Sequence, residues 1–165
     1  MSEAFWLRSF IVLYIQWFSM EKLHYTIILP TTYIDSHYEA VSRLLAQLTS
    51  RSIDFSEKEY CRLIDSPCSF LFLLCQGESV VGMLTVGIYY SPTGGKAWIE
   101  DVVVDEAFRG QGLSKLLVAH AIEFTKSKHV PSLMLTSNPK RIAANKLYQA
   151  MGFNRKETNV YRMKF

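Results

Sequence analysis

Apolar positions in this chain come in two textures, short unbroken runs and stripes at helical spacing, and their order predicts the elements. Tyr25-Thr26-Ile27-Ile28-Leu29 reads as a strand stopped by Pro30. Val41, Leu44, Leu45 and Leu48 then recur at helical spacing behind a cap at Asp35 or Ser36. Ser56-Glu57-Lys58-Glu59 has the form of a capping box, which opens a second helix through Tyr60, Leu63 and Ile64 before Pro67 closes it. Residues 69–75 and 80–90 are continuous apolar runs, as in strands covered on both faces, joined as a hairpin through Gln76-Gly77-Glu78-Ser79. Gly82 and Gly87 mark bends or close backbone approaches in the second run. Ser91-Pro92-Thr93-Gly94-Gly95 reads as a loop leading into a strand over 96–104.

Beyond that strand, Leu113, Leu116, Leu117, Ala121 and Phe124 stripe a helix that runs to Lys128. Leu133-Met134-Leu135-Thr136 is the next strand, and Asn138-Pro139 predicts a helix start, a cap residue followed by Pro in the first turn. Ala144, Leu147, Tyr148 and Met151 form that helix's buried stripe, Gly152 ends it, and residues 153–157 and 159–165 read as a last pair of strands. The order predicts an α/β (α+β) fold, a mixed sheet of about seven strands with helices on both faces. Residues 4–18 are apolar but broken by Arg8, Ser9 and Gln16, short of the roughly 20 residues a spanning helix needs, and they lack a small-residue cleavage site. We read residues 1–20 as an extension outside the fold, with Met20 as an alternative start, and 21–165 as one domain. A membrane-surface anchor or a partner-binding helix is the other reading of the extension.

Composition narrows the function classes. At 165 residues, 49% hydrophobic and 20% charged, the chain has an ordinary single-domain make-up. Its net charge of +3, without a basic block, argues against a nucleic-acid surface and suits an anionic small molecule. Cys61, Cys68 and Cys75 lack the close pairs of a metal site and, being odd in number, make a poor disulfide framework. We expect small buried or half-buried thiols in a reducing, cytoplasmic setting. His24, His37, His120 and His129 show no ligand spacing, so no metal is expected, and His120 reads as a packed or surface residue of its helix.

The candidate chemistry lies in residues 99–114, where a β-branched run breaks into an Arg/Gly-rich turn with a helix directly behind it. Such a turn aims backbone N–H groups from the positive end of a helix, a seat for phosphate or pyrophosphate. Glu100 and Asp101 sit on the incoming strand, and strict alternation sends their side chains to opposite faces. Arg109-Gly110-Gln111-Gly112-Leu113-Ser114 resembles the acyl-CoA loop of the GNAT N-acetyltransferase superfamily, with Arg109 and Gly112 matching and Ser114 departing from the usual last Gly or Ala. Leu147-Tyr148-Gln149-Ala150-Met151-Gly152-Phe153 resembles the same family's late helix, in the right order and at the right separation. Ile99-Glu100-Asp101-Val102-Val103-Val104 is similar to the corresponding phrase of glucosamine-6-phosphate N-acetyltransferases.

The resemblance implies an acetyl-CoA-dependent transfer of an acetyl group to a primary amine. It implies that amides from Gly110 through Gln111, Gly112 and Leu113 to Ser114, with the Arg109 charge, face the diphosphate of coenzyme A. The main chain of Val102, Val103 and Val104 would hold the pantetheine arm, and Asn138 and Asn145 would contact the cofactor, although Asn138 also reads as a plain helix cap. Glu100 is favoured as base, with Asp101 open as the alternative, and Tyr148 as the acid that protonates the leaving thiolate. A strand-end acid in a salt bridge and a core tyrosine are the bland readings of those side chains. Tyr89, Tyr90 and Trp98 would line the acceptor pocket or simply fill the core. No cysteine stands in relation to a histidine, so direct attack in a ternary complex is favoured over an acyl-enzyme. The acceptor expected is a small amine or amino sugar, with no nucleic-acid or membrane partner, and the reading admits a homodimer. The alternatives are a protein or peptide amine as acceptor, a non-catalytic acyl-CoA sensor, or a phosphate-binding enzyme of another fold.

Overall fold

The structure, a computed structural model that describes residues 25–49 and 53–164, runs β1 (Tyr25–Ile28), α1 (Asp35–Leu48), α2 (Glu57–Ile64), β2 (Ser69–Gln76), β3 (Ser79–Ser91), β4 (Gly94–Val104), α3 (Leu113–Ser127), β5 (Leu133–Leu135) and α4 (Ile142–Ala150). The strands form one sheet in the order β1-β2-β3-β4-β5, antiparallel except for the parallel β4–β5 pair. The long apolar runs of β2 and β3 are explained by what covers them. Leu71, Leu73, Met83 and Val103 pack under α1 and α2, while Phe72, Leu84, Val86, Ala97 and Ile99 pack under α3 and α4. Two cores thus share one sheet, one on each face. No helix among the described residues is long and apolar enough to cross a membrane.

Local signals succeed where they are self-contained. Ser56 and Glu59 make the reciprocal capping box, Ser56 Oγ accepting from the Glu59 amide and Glu59 Oε2 accepting from the Ser56 amide. Gly77 turns the β2–β3 hairpin at φ +58°. Four expectations are corrected. The first helix is capped by Ile34 without a side-chain bond, not by Asp35 or Ser36, because Asp35 is already its first helical residue. The last helix begins at Ile142 rather than at Asn138-Pro139, since Asn138 Oδ1 accepts the Lys140 amide and closes a separate turn there. Residues 91–95 are not a long loop: Ser91 pairs with Gly94, which leaves Pro92-Thr93 as the hairpin tip. Residues 153–164 form no strand and are almost wholly exposed, so the described sheet has five strands rather than seven. Among the thiols, Cys75 is buried and Cys61 half-buried as expected, whereas Cys68 is exposed. The N-terminal extension lies outside the described residues.

Candidate active site

The site starts from an irregularity in β4. Thr85 pairs with Glu100 and Met83 with Val103, so one residue of β3 faces two of β4, and Asp101 takes a left-handed φ of 52°. This is a β-bulge, which bends its strand and adds twist. It also corrects the strict alternation expected for Glu100 and Asp101, which stops at the extra residue. The parallel pairing with β5 ends at Ile99–Leu135, one residue before Glu100. From Glu100 to Val104, β4 therefore has no strand partner on its β5 side among the described residues. Val103 and Val104 bury their side chains and Val102 half-buries its own, so what they offer the opening is main chain.

β4 leads straight into the glycine turn. Asp105 Oδ1 accepts the Ala107 amide and fixes a short 3₁₀ turn at Glu106–Phe108, after which Arg109 Nε donates to the Val104 carbonyl at 3.2 Å. Gly110 and Gly112 follow at φ +79° and +77°, a conformation that costs an L side chain about 1–2 kcal/mol. A Cβ at either position would meet no atom within 4 Å, so backbone conformation rather than space calls for glycine. Gly112 caps α3, which has no capping side chain and no acid in its first turn, whereas α2 has both. The Leu113 side chain is buried, so only its amide faces the turn, and Ser114 is half-buried. The positive end of α3 is thus left free for an anion. Gln111, between the two glycines, is held from the far edge of the sheet, where the Tyr25 hydroxyl donates to its Oε1 at 2.9 Å.

Tyr148 on α4 is buried in the core beneath α3 and α4, its ring edge-on to Phe153 at 6.1 Å. Burial pushes its phenol up, only partly opposed by the Arg141 charge, so the hydroxyl keeps its proton. Asn138 and Asn145 come together: Asn145 Nδ2 donates to the carbonyls of Asn138 and Arg141 at 2.9 and 3.0 Å, which ties the β5–α4 turn to its helix. Glu100 lies on the opposite face, in register with Thr85 and hence with Leu71 of the other core. Burial and then the Asp101 charge raise the Glu100 carboxyl, and burial raises that of Asp101, although both side chains keep solvent access. Glu100 and Tyr148 thus lie on opposite faces of the sheet.

Sequence reasoning missed several participants. Ser137, two residues past the last β4–β5 pair, buries an Oγ that has no hydrogen-bond partner among the described residues. Thr85 and Gly87 share a face with Glu100 through strand register, which periodicity alone does not supply. Tyr89 and Trp98 also lie on that face, joined by a 3.3 Å bond from the indole Nε1 to the phenol oxygen. Tyr90 points to the other face and lays its ring edge over Gly95. His120 is half-buried edge-on to Phe72 at 4.6 Å, a packed residue as expected, and burial lowers its imidazole. Among the described residues no group of three His, Cys, Asp or Glu side chains gathers as a metal site.

Residues 32–153 match the family model described as Acetyltransferase (GNAT) family. The chain is 33% identical over 88 residues to a mycothiol acetyltransferase of Renibacterium salmoninarum, a match covering 52% of this chain and 26% of that protein. It is 39% identical over 66 residues to a glucosamine 6-phosphate N-acetyltransferase of Trypanosoma brucei brucei, covering 39% and 43%. The chain therefore spans less than half the length of these curated relatives. Among solved structures, a Trypanosoma brucei acetyltransferase superposes with a TM-score of 0.70 at 25% identity, over 86% of this chain and all of that one (100%). An aminoglycoside N-acetyltransferase solved with coenzyme A shares the fold, with a TM-score of 0.70 at 19% identity over 86% and 95% of the two chains.

Proposed function

We propose that the chain, which belongs to the GNAT acetyltransferase family, moves an acetyl group from acetyl-CoA to a primary amine by direct attack in a ternary complex. The acceptor we assign is a small amine or amino sugar. One observation carries the reading: an edge of β4 unpaired among the described residues leads, through one short 3₁₀ turn, to a glycine turn at a helix N-terminus that has no side-chain cap. An extended amide-bearing arm ending in a diphosphate fits that path, with main chain from Val102 to Val104 for the arm and the amides of residues 110–114 for the phosphates. Arg109 adds charge beside them, and the Asn138–Asn145 turn, which follows β5 in the chain, is assigned to the cofactor as well.

Acetyl-CoA supplies the acetyl group as a thioester. Alkyl amines are protonated near neutral pH, so the nitrogen must lose a proton before its lone pair can attack the carbonyl carbon. Glu100 takes that proton, directly or through a water, and its raised proton affinity suits a base working near neutrality. As the N–C bond forms the C–S bond breaks, and Tyr148 gives its phenol proton to the departing thiolate. The phenolate recovers a proton from solvent as Glu100 releases its own. Cys61, Cys68 and Cys75 lie on α2, before β2 and in β2, and none is part of β4, β5 or α4, which supports direct attack over an acyl-enzyme. Three free thiols also suit a cytoplasmic setting.

Calorimetry with acetyl-CoA, followed by free-thiol release across an amine panel, tests the assignment. Binding with turnover on at least one amine is the expected result. No heat with acetyl-CoA or CoA removes the reading altogether, and binding without turnover on any amine turns it into an acyl-CoA sensor.

A further inference from the structure

Helices α1 and α2 cover only part of their face of the sheet. Their buried contacts end on Leu71, Leu73, Met83 and Val103. The register continues past them, placing Thr85 beside Glu100, Gly87 beside Trp98 and Tyr89 beside Lys96. Residues paired across a ladder share a face, so these rows extend the surface on which Glu100 lies. The surface is open: a Cβ at Gly87 would meet nothing within 4 Å, and Tyr89 is 47% exposed. Trp98 and Tyr89, locked by their hydrogen bond, form an aromatic floor on it.

Lys96 closes the far end. Its ammonium donates to Ser91 Oγ at 2.5 Å and Thr93 Oγ1 at 2.7 Å, and sits 5.8 Å from the centre of the Tyr89 ring. It has no carboxylate partner among the described residues. Ser91 gives its only hydroxyl proton to the Gly94 carbonyl, so Thr93 donates to Ser91, which leaves the third ammonium proton of Lys96 to serve an incoming anion. Along β4 the groups therefore run carboxylate, aromatic, ammonium at alternate positions, Glu100, Trp98 and Lys96, with roughly 13 Å between the outer two Cα atoms.

We infer that the acceptor is a primary amine that also carries an anionic group, a carboxylate or a phosphate, bound with its nitrogen at Glu100, its body on Trp98 and Tyr89, and its anion at Lys96. This rests on the acetyl-transfer reading and adds the substrate class to it. A polyamine or polycationic aminosugar lying along the same face would bring a second ammonium against Lys96, so such acceptors are disfavoured.

Two matched pairs of acceptors test the class and tell the anions apart: the tripeptide Gly-Phe-Gly against its C-terminal amide, and glucosamine 6-phosphate against glucosamine, with spermidine as the polycation. In the expected result the charged member of one pair has a kcat/KM roughly fivefold above its neutral partner, expressed in KM and reduced by salt. The pair that shows the gap identifies carboxylate or phosphate. Lys96→Gln then collapses that ratio to about one while acetyl-CoA affinity, measured separately, reports an intact fold. Equal kcat/KM within both pairs, an undiminished ratio in Lys96→Gln, or a preference for spermidine overturns the inference while acetyl transfer itself stands. Failure to bind acetyl-CoA, or to release thiol with any member, removes the transfer reading beneath it.

Discussion

Glu100 holds its proton more tightly in the folded chain than a free carboxyl does, because burial and the neighbouring Asp101 charge both disfavour its anion. That single displacement has a catalytic and a stability consequence of opposite sign. In the proposed mechanism the base is the anion, so kcat/KM should rise with pH through the raised value, with the acid limb of the profile above the ordinary 4.5. A carboxyl whose folded affinity for the proton is raised contributes stability that is fully present below its ordinary value and is lost as pH rises through the folded one. Glu100→Gln should therefore lower kcat about 100-fold and abolish that limb, yet raise the melting temperature at pH 7 and leave it unchanged at pH 4. Melts at the two pH values and a pH–rate profile check both halves. Tyr148→Phe keeps the ring against Phe153 and removes only the hydroxyl, so kcat should fall by about 10- to 100-fold with the acetyl-CoA dissociation constant unmoved. A change in affinity as large as the change in kcat would make Tyr148 a packing residue and not the acid.

The N-terminus of α2 is closed by a reciprocal capping box, whereas that of α3 opens at a glycine with no capping side chain. Ser56→Ala removes the capping box of α2 and should cost about 1 kcal/mol in denaturant melts without altering acetyl-CoA binding. Gly112→Ala, at φ +77°, should cost a similar 1–2 kcal/mol or so and weaken acetyl-CoA as well, because the strained residue is the cap whose neighbours present the amides. Finding both variants equal in ligand affinity would remove the special role of the α3 terminus. What could be read from residue order follows the same division. Ser56-x-x-Glu59 and Gly110-x-Gly112 carry their geometry within one turn of chain, so they were legible. The Asp101 bulge, the end of β4–β5 pairing at Ile99 and the face shared by Glu100 with Gly87 and Trp98 depend on cross-strand register, which no local pattern encodes. Asn138 is the intermediate case: its cap chemistry is legible, but it closes a turn at Lys140, ahead of the helix that starts at Ile142.

At the scale of the molecule, the helix layer on the Glu100 side holds the segment that leads into the glycine turn. Arg43 of α1 forms an ion pair with Asp105 and donates through Nη2 to the Val80 carbonyl at 3.0 Å, while Gln47 Oε1 accepts the Glu106 amide at 2.9 Å. Asp105 is 8% exposed, and its own amide bonds the Val81 carbonyl, so the carboxylate anchors the chain where it leaves β4 for the glycine turn. Removing the guanidinium strands a buried charge, and Arg43→Met should cost about 2–3 kcal/mol. Stability alone does not show whether α1 also shapes the binding loop; linkage does. A ligand that binds only the folded state raises stability by RT ln(1 + [L]/Kd), so at one fixed acetyl-CoA concentration the ligand-induced rise in melting temperature reports affinity in each variant. If Arg43 serves the core only, Arg43→Met loses the same increment with and without acetyl-CoA. If the ion pair also holds the turn in its anion-binding shape, the loss is larger with the ligand present. The second outcome is the one expected here, since Asp105 accepts the Ala107 amide and Arg109 donates to the Val104 carbonyl, two bonds that fix the chain directly ahead of Gly110.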